Sequence, residues 1–262
     1  MTELNKRVAI ISGGATYIGE SIARCFKEAG LRVVIADINK DAGQAIVSRL
    51  GSDVLFVPTD ISEDEAIDRC IDTALEQFGQ IDYFVSMACT YLDKGLDSSR
   101  KDWTTALNLN VISGGIFAQK VTAKIKPQSS GAVVFLSSTS ARVAQADCLL
   151  YAIAKAAILG MTRNLALLLS KDGVRVNCVL PGWTWSTPIM DATGGDRAKA
   201  DEIAKDFHLI GRVVEAEEVA RAVNFLCSDA SSGITGVELP VDGGYLTLGP
   251  EGKINNESKL AE

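Results

Sequence analysis

The chain has 262 residues, 47% apolar and 23% charged, enough to bury one sizeable core in an ordinary globular fold. A net charge of −7 with no Lys/Arg cluster excludes a general nucleic-acid binder, which needs a basic face. Six scattered cysteines without a CxxC pair, and His208 as the single histidine, leave too few ligands for a Cys/His metal site.

The first strand is RVAIIS (7–12), and the stretch SGGATYIGESIARCFKEAG (12–30) follows it directly, with a helix near 18–29. A glycine-rich turn between strand and helix points backbone N–H groups at a bound phosphate. The second strand, RVVIAD (32–37), ends on Asp37, roughly twenty residues past the turn, where a carboxylate accepts from adenosine ribose hydroxyls. Such a carboxylate repels a 2′-phosphate and no Lys or Arg stands in the turn, so NAD is expected over NADP. The competing reading of Asp37 is an N-cap of the helix at 40–50. VLFVP (54–58), a helix at 63–79 and IDYFVSM (81–87) continue the alternation, followed by one long helix at 100–125. AVVFLSS (132–138), a helix at 149–171, VRVNCVL (174–180), a helix at 215–228 and VELPV (237–241) complete it. Apolar runs without strict alternation suit strands buried on both faces, so the pattern predicts a doubly wound parallel α/β sheet of about seven strands.

Residues 183–213, WTWSTPIMDATGGDRAKADEIAKDFHLIGRV, break the alternation; they read as a substrate lid with one helical segment near 196–207. Residues 1–245 form a single domain in this reading and 246–262 a polar tail. The apolar runs, including AAILGMTRNLALLLS, read as too short or interrupted to span a bilayer, and MTELNKR leads in without a signal-like stretch. A cytoplasmic protein without metal, nucleic-acid or membrane partners is the expectation.

Tyr151 and Lys155, in YAIAK, share one helix face at i and i+4. A free phenol titrates near pH ~10, and a neighbouring ammonium is expected to lower that value towards useful acid/base chemistry. Ser138, at the end of a strand, offers a third polar group for the same substrate oxygen. YxxxK alone arises by chance on amphipathic helices; its order after a nucleotide-binding turn gives it weight. Ser-His-Asp hydrolysis would need His208, and no G-x-S-x-G elbow exists for it to serve.

Together these residues resemble the short-chain dehydrogenase/reductase family over about positions 6–245. The family's TGxxxGxG turn is similar to Ser12-Gly13-Gly14-Ala15-Thr16-Tyr17-Ile18-Gly19, and its acidic-plus-apolar adenine pair to Asp60-Ile61. Asn110, Ser138, Tyr151 and Lys155 match its catalytic set, Pro181-Gly182 its post-strand PG, and Val241-Asp242-Gly243-Gly244 its terminal VDGG. Two stretches depart: Tyr17 stands for the middle glycine, and Ser86-Met87-Ala88-Cys89 for NNAG.

The resemblance implies a Rossmann-type fold and hydride transfer between NAD(H) and a small secondary alcohol or ketone. Tyr151 would be the acid/base, Ser138 would bind the substrate oxygen, and Lys155 would lower the Tyr151 pKa and bind the nicotinamide ribose. Asn110 would hold a relay water, or kink its helix. Gly13, Gly14, Tyr17, Ile18, Gly19, Asp37, Ile38, Asp60, Ile61 and Ala88 would hold the dinucleotide. Pro181, Gly182 and Thr184, with Ser186 or Thr187, would hold the carboxamide. The substrate wall would draw on Cys89, Tyr91, Leu92, Ser140 and Gln145. Trp183 and Trp185 are substrate-wall or hinge-packing residues, and Arg142 an anion clamp or a structural residue. The apolar faces of 100–125 and 149–171 imply a homotetramer or homodimer. Rival readings are an NADPH-dependent 3-oxoacyl reductase and an NAD(H)-binding sensor or scaffold without turnover.

Overall fold

The computed structural model describes residues 6–125, 131–146, 148–249 and 252–253. Seven strands form one sheet: β1 (Val8–Ser12), β2 (Arg32–Asp37), β3 (Val54–Pro58), β4 (Tyr83–Ser86), β5 (Ala132–Leu136), β6 (Arg175–Pro181) and β7 (Glu238–Val241). Their order is β3-β2-β1-β4-β5-β6-β7 and every pairing is parallel. Consecutive residues of a strand face opposite sides of a sheet. On β1, Ile10 enters a core with α3 (Asp64–Phe78), α5 (Ser113–Thr122) and α6 (Leu150–Leu169). Its neighbours Ala9 and Ile11 enter the opposite core with α1 (Tyr17–Glu28), α2 (Lys40–Leu50) and α9 (Ala216–Cys227). Burial on both faces is why the strands read as continuous apolar runs.

From β1 the chain winds outward through β2 and β3, then returns to lay β4 on the other side of β1. The reversal opens a crevice at the carboxyl ends of β1 and β4, the usual ligand position in such sheets.

Three expectations are corrected, and one competing reading falls. The single helix at 100–125 is instead α4 (Arg100–Leu107), a π-helical segment Asn108–Ile112, and α5. The wider turn sits at Asn110, whose side-chain amide bonds sideways to the backbone of Thr90. The lid carries two helices rather than one, α7 (Thr187–Thr193) and α8 (Arg197–Ala204). Its base is closed by Trp185 N donating to Val214 O at 2.8 Å and Val214 N to Trp183 O at 2.8 Å. Asp37 is not the cap of α2: Asn39 is, accepting from Ala42 N at 3.1 Å. Leu150–Asp172 is, by length and composition, long and apolar enough to cross a membrane. In the fold its stripe Ala154, Ile158, Leu159 and Ala166 covers the sheet. Of the expected tail, only 246–249 and 252–253 fall among the described residues.

Gly43 tests the packing of α2 on β3. Alanine normally improves a helix by about 1 kcal/mol over glycine. Here a Cβ would lie 2.1 Å from the Phe56 ring, which is only 7% exposed. Gly43→Ala is therefore expected to lower stability by about 1–3 kcal/mol in urea unfolding; a stabilised variant would show that the ring yields freely.

Candidate active site

The turn after β1 is shaped by close approach. Gly13 has φ +75°, and a Cβ on it would lie 2.6 Å from Ala88 N, so only glycine lets the turn and the loop after β4 meet. Gly19 meets the turn as closely: its Cβ would lie 2.6 Å from Gly14 O. Thr16 caps α1, its Oγ1 accepting from Gly19 N at 3.1 Å and donating to Gly13 O at 2.9 Å. Tyr17 takes the first helical position and stays 40% exposed, its side chain on the cavity wall.

The cavity spans about 860 Å³, within the ordinary range for ligand pockets. Gly13, Tyr17, Ile18, Asp37, Ile38, Asp60 and Ile61 line it from the β1–β3 side, Ala88, Cys89 and Tyr91 from the β4 loop, and Ser186 and Thr187 from the lid. Its ionisable walls include the carboxylates of Asp37, Asp60 and Asp191, and among the described residues no Lys or Arg lines it. Asp37 is fixed from two sides, Oδ2 accepting from Ala15 N at 3.0 Å and Oδ1 from Asn39 N at 2.9 Å. Asp60 is held by the backbone N–H and hydroxyl of Ser62.

The catalytic candidates meet where β5 ends against α6. Lys155, 3% exposed, donates from Nζ to Leu136 O at 2.9 Å. Ser137 Oγ donates to Lys155 O at 2.8 Å. Ser138 stands beside the Tyr151 phenol and favours its ionised form. Ser138 Oγ also accepts from Ser140 N at 3.2 Å, which leaves its O–H to donate. The net lowering of the Tyr151 pKa expected beside Lys155 is not found. The Lys155 ammonium lies 5.4 Å from the ring centroid, tied to a carbonyl, while burial pushes the phenol above its ordinary value and Ser138 draws it back. The Tyr91 ring stacks on Tyr151 at 5.2 Å and 22°, joining this centre to the cavity. Asn110, 5% exposed, clasps Thr90: Oδ1 accepts its N–H at 2.7 Å and Nδ2 donates to its carbonyl at 2.9 Å.

Other predicted residues lie further from this meeting point or are already engaged. Ser12, Gly14 and Gly19 build the turn behind the cavity wall. Gly182 N donates to Val241 O at 3.0 Å just past Pro181, and the Thr184 hydroxyl donates to Gly182 O at 3.0 Å. Trp183 and Trp185 pack into the lid's own core with Ala200, Ala204 and Val213, Trp183 edge-on to Phe207 at 4.8 Å. Arg142 pairs with Glu238, itself also paired with Arg163. Ser140 is buried with its hydroxyl unpartnered among the described residues, and Gln145 reaches Tyr245 at 3.4 Å. His208 is buried, its Nδ1 2.8 Å from Arg212 O, and burial lowers its pKa. The sequence reading missed Thr16, Ser137 and Asp191. Thr16 was findable as a capping residue before YIGE; Asp191 was not, because α7 was not foreseen.

A family model described as enoyl-(acyl carrier protein) reductase matches residues 13–246. Tropinone reductase-like 2 of Erythroxylum coca is 31% identical over 266 residues, covering 98% of this chain and 96% of that protein. Cis-4-hydroxycyclohexanecarboxylate dehydrogenase of Sinomonas cyclohexanicum is 33% identical over 249 residues, covering 93% and 98%. The crystal structure of a 3-ketoacyl-(acyl-carrier-protein) reductase from Brucella melitensis complexed with NADH superposes with a TM-score of 0.83 at 26% identity, covering 92% and 99%.

Two tests follow from this geometry. Cys70, Cys178 and Cys227 are buried, and burial pushes each thiol to about 12, so at pH 8 they stay protonated and shielded. A thiol reagent on the native protein is expected to label only among Cys25, Cys89 and Cys148, with all six reacting in denaturant. Tyr17→Gly removes a ring from the cavity wall and is expected to tighten NADH binding in a fluorescence titration. Unchanged or weaker binding would show that the ring contributes a contact.

Proposed function

The chain belongs to the short-chain dehydrogenase/reductase family, and from that premise we propose that it moves hydride between NAD(H) and a small secondary alcohol or ketone of alicyclic, aryl or polyol type. The observation that carries the reading is the Ser138–Tyr151 hydroxyl pair, braced by Lys155 and joined through Tyr91 to a cavity with carboxylates and, among the described residues, no basic side chain on its walls.

The residues fit a nicotinamide dinucleotide. The Gly13 turn lines the cavity next to the N-terminus of α1, where backbone N–H groups suit a phosphate, and Asp37 stands where ribose hydroxyls donate. A 2′-phosphate would face Asp37 instead; two unit charges at 4 Å repel by about 4 kcal/mol at an effective dielectric of 20. With no cation on the walls among the described residues to offset that cost, NAD is favoured.

When bound, the cofactor supplies the hydride acceptor or donor. As the phenolate, Tyr151 would take the hydroxyl proton in oxidation; as the neutral phenol it would donate that proton in reduction. Ser138, with its O–H free to donate, holds the substrate oxygen beside the phenol and stabilises charge developing there. Lys155 has three N–H donors, one of them given to Leu136 O; the others are available to ribose hydroxyls. Asn110 keeps the Thr90 backbone in place at the cavity edge, and Ser186 or Thr187, on the lid wall, would hold the carboxamide.

The alicyclic substrate class is supported by likeness to a cyclohexanol-type dehydrogenase. Likeness to a 3-ketoacyl reductase supports a second reading, an acyl substrate, which the same panel tests. Cytoplasmic residence and a homotetramer or homodimer belong to the proposal as well. The unpaired thiols of Cys25, Cys70, Cys89, Cys178 and Cys227 support the first, and Ile112 and Ile153, exposed at 52% and 39%, support the second.

The test is a panel of secondary alcohols, ketones and a 3-oxoacyl thioester with NAD(H) and NADP(H), on wild type and Tyr151→Phe. NAD(H) is expected to be preferred, and Tyr151→Phe to lose at least about 100-fold in kcat. Retained activity in Tyr151→Phe would sink the acid/base role, and NADP preference the Asp37 argument. NADH binding without turnover would favour the sensor. The pH dependence has a sign. Burial raises the free enzyme's phenol, so the neutral form dominates near pH 7. Oxidative kcat/KM should therefore keep rising into the alkaline range, whereas reductive kcat/KM should be flat through neutrality.

A further inference from the structure

The helix that carries Tyr151 has no cap of its own. α6 begins at Leu150, and Leu149 at its N-cap position has no side-chain acceptor. The first N–H groups of any helix lack intrahelical partners and need one from elsewhere. Tyr151 N finds it in a different loop: it donates to Asp93 Oδ2 at 3.0 Å, across 58 positions of sequence. The other carboxylate oxygen, Oδ1, accepts from Gly95 N at 3.0 Å, so the loop fixes the orientation of its own acid.

That loop is itself anchored. Asn110 holds both backbone groups of Thr90, and Tyr91 stacks on the ring of Tyr151. The segment from Thr90 to Asp93 thus grips Tyr151 at its ring and at its amide.

We propose that Asp93 is a positioning residue: it caps α6 in trans at Tyr151 and thereby fixes where the phenol stands relative to Ser138. A carboxylate is the strongest choice for this role, because its hydrogen bond is charge-assisted and its charge complements the helix N-terminus. Without it, the first turn of α6 frays at the residue that must be held most closely. Misplacing a reacting group by about 1 Å costs on the order of 100-fold in rate. The inference rests on the acid/base reading of Tyr151, yet the cap can be tested without turnover.

The experiment compares wild type, Asp93→Ala and Asp93→Asn by hydrogen–deuterium exchange of the peptide carrying Tyr151, by NADH titration and by steady-state kinetics. Asp93→Ala is expected to speed exchange at that peptide and to lower kcat by roughly 10- to 100-fold, with the NADH Kd unchanged. Asp93→Asn keeps a carbonyl acceptor and should retain wild-type exchange and most of kcat. Should Asp93→Ala not fold, Asp93→Ser, whose side chain is one atom shorter in reach, carries the same expectations. Unchanged exchange in the Ala or Ser variant would overturn the cap. Faster exchange with full kcat would overturn its positioning role, as would equal losses in kcat and NADH affinity. An Asn variant as impaired as Ala would overturn the acceptor argument. If wild type turns over no alcohol or ketone, the hydride reading fails, while the exchange data still decide the cap.

Discussion

Everything proposed for this protein depends on the seam between the end of β5 and the first turns of α6. Three consecutive residues cross it: Leu136 receives the Lys155 ammonium on its carbonyl, Ser137 bonds the Lys155 carbonyl, and Ser138 stands beside the Tyr151 phenol. A strand held by parallel pairing on both sides cannot slide, because a one-residue slip would turn its apolar side chains to the wrong core. The rigid strand end therefore sets the rotation of α6, and with it the direction of Tyr151 and Lys155. The buried Lys155 ammonium and Ser137 hydroxyl are tolerated because each has a partner.

The rest of the site is arranged around that seam by loops with little freedom of their own. The turn after β1 presses against the loop after β4 at Gly13 and Ala88, and Asn110 grips the same loop at Thr90. The π-helical turn at Asn108–Ile112 interrupts the regular helix at the residue whose amide reaches out to that loop. The lid is a different case. Trp183, Trp185, Phe207 and the small residues of α8 give it a separate apolar centre, so it can hold its shape while its base stays hinged at Thr184 and Val214.

Legibility followed the range of the interaction. The strands and most helices were readable to within a residue or two, since each buries an apolar face whose periodicity is local. The helix at 100–125 misled because its apolar pattern is continuous; what breaks it is a hydrogen bond to Thr90, twenty positions away. The helix α7 was missed although Ser186, Pro188 and Gly194 mark its start and stop. Trp183 and Trp185 had two readings from sequence, and the lid core accounts for where they pack. Arg142 was equally ambiguous until Glu238, nearly a hundred residues away, came beside it.

The sequence by itself determined the doubly wound sheet, the glycine turn, the acidic end of β2 and the four-residue spacing of Tyr151 and Lys155, because these are properties of short segments. Only the tertiary structure decided what those groups meet. It tied the Lys155 ammonium to a carbonyl instead of leaving it free beside the phenol, set burial above charge in the Tyr151 environment, and brought Asp93 to a helix that lacks a cap. Each of these depends on partners far apart in sequence, and no local pattern records which of many carboxylates or carbonyls the fold will bring within hydrogen-bonding distance.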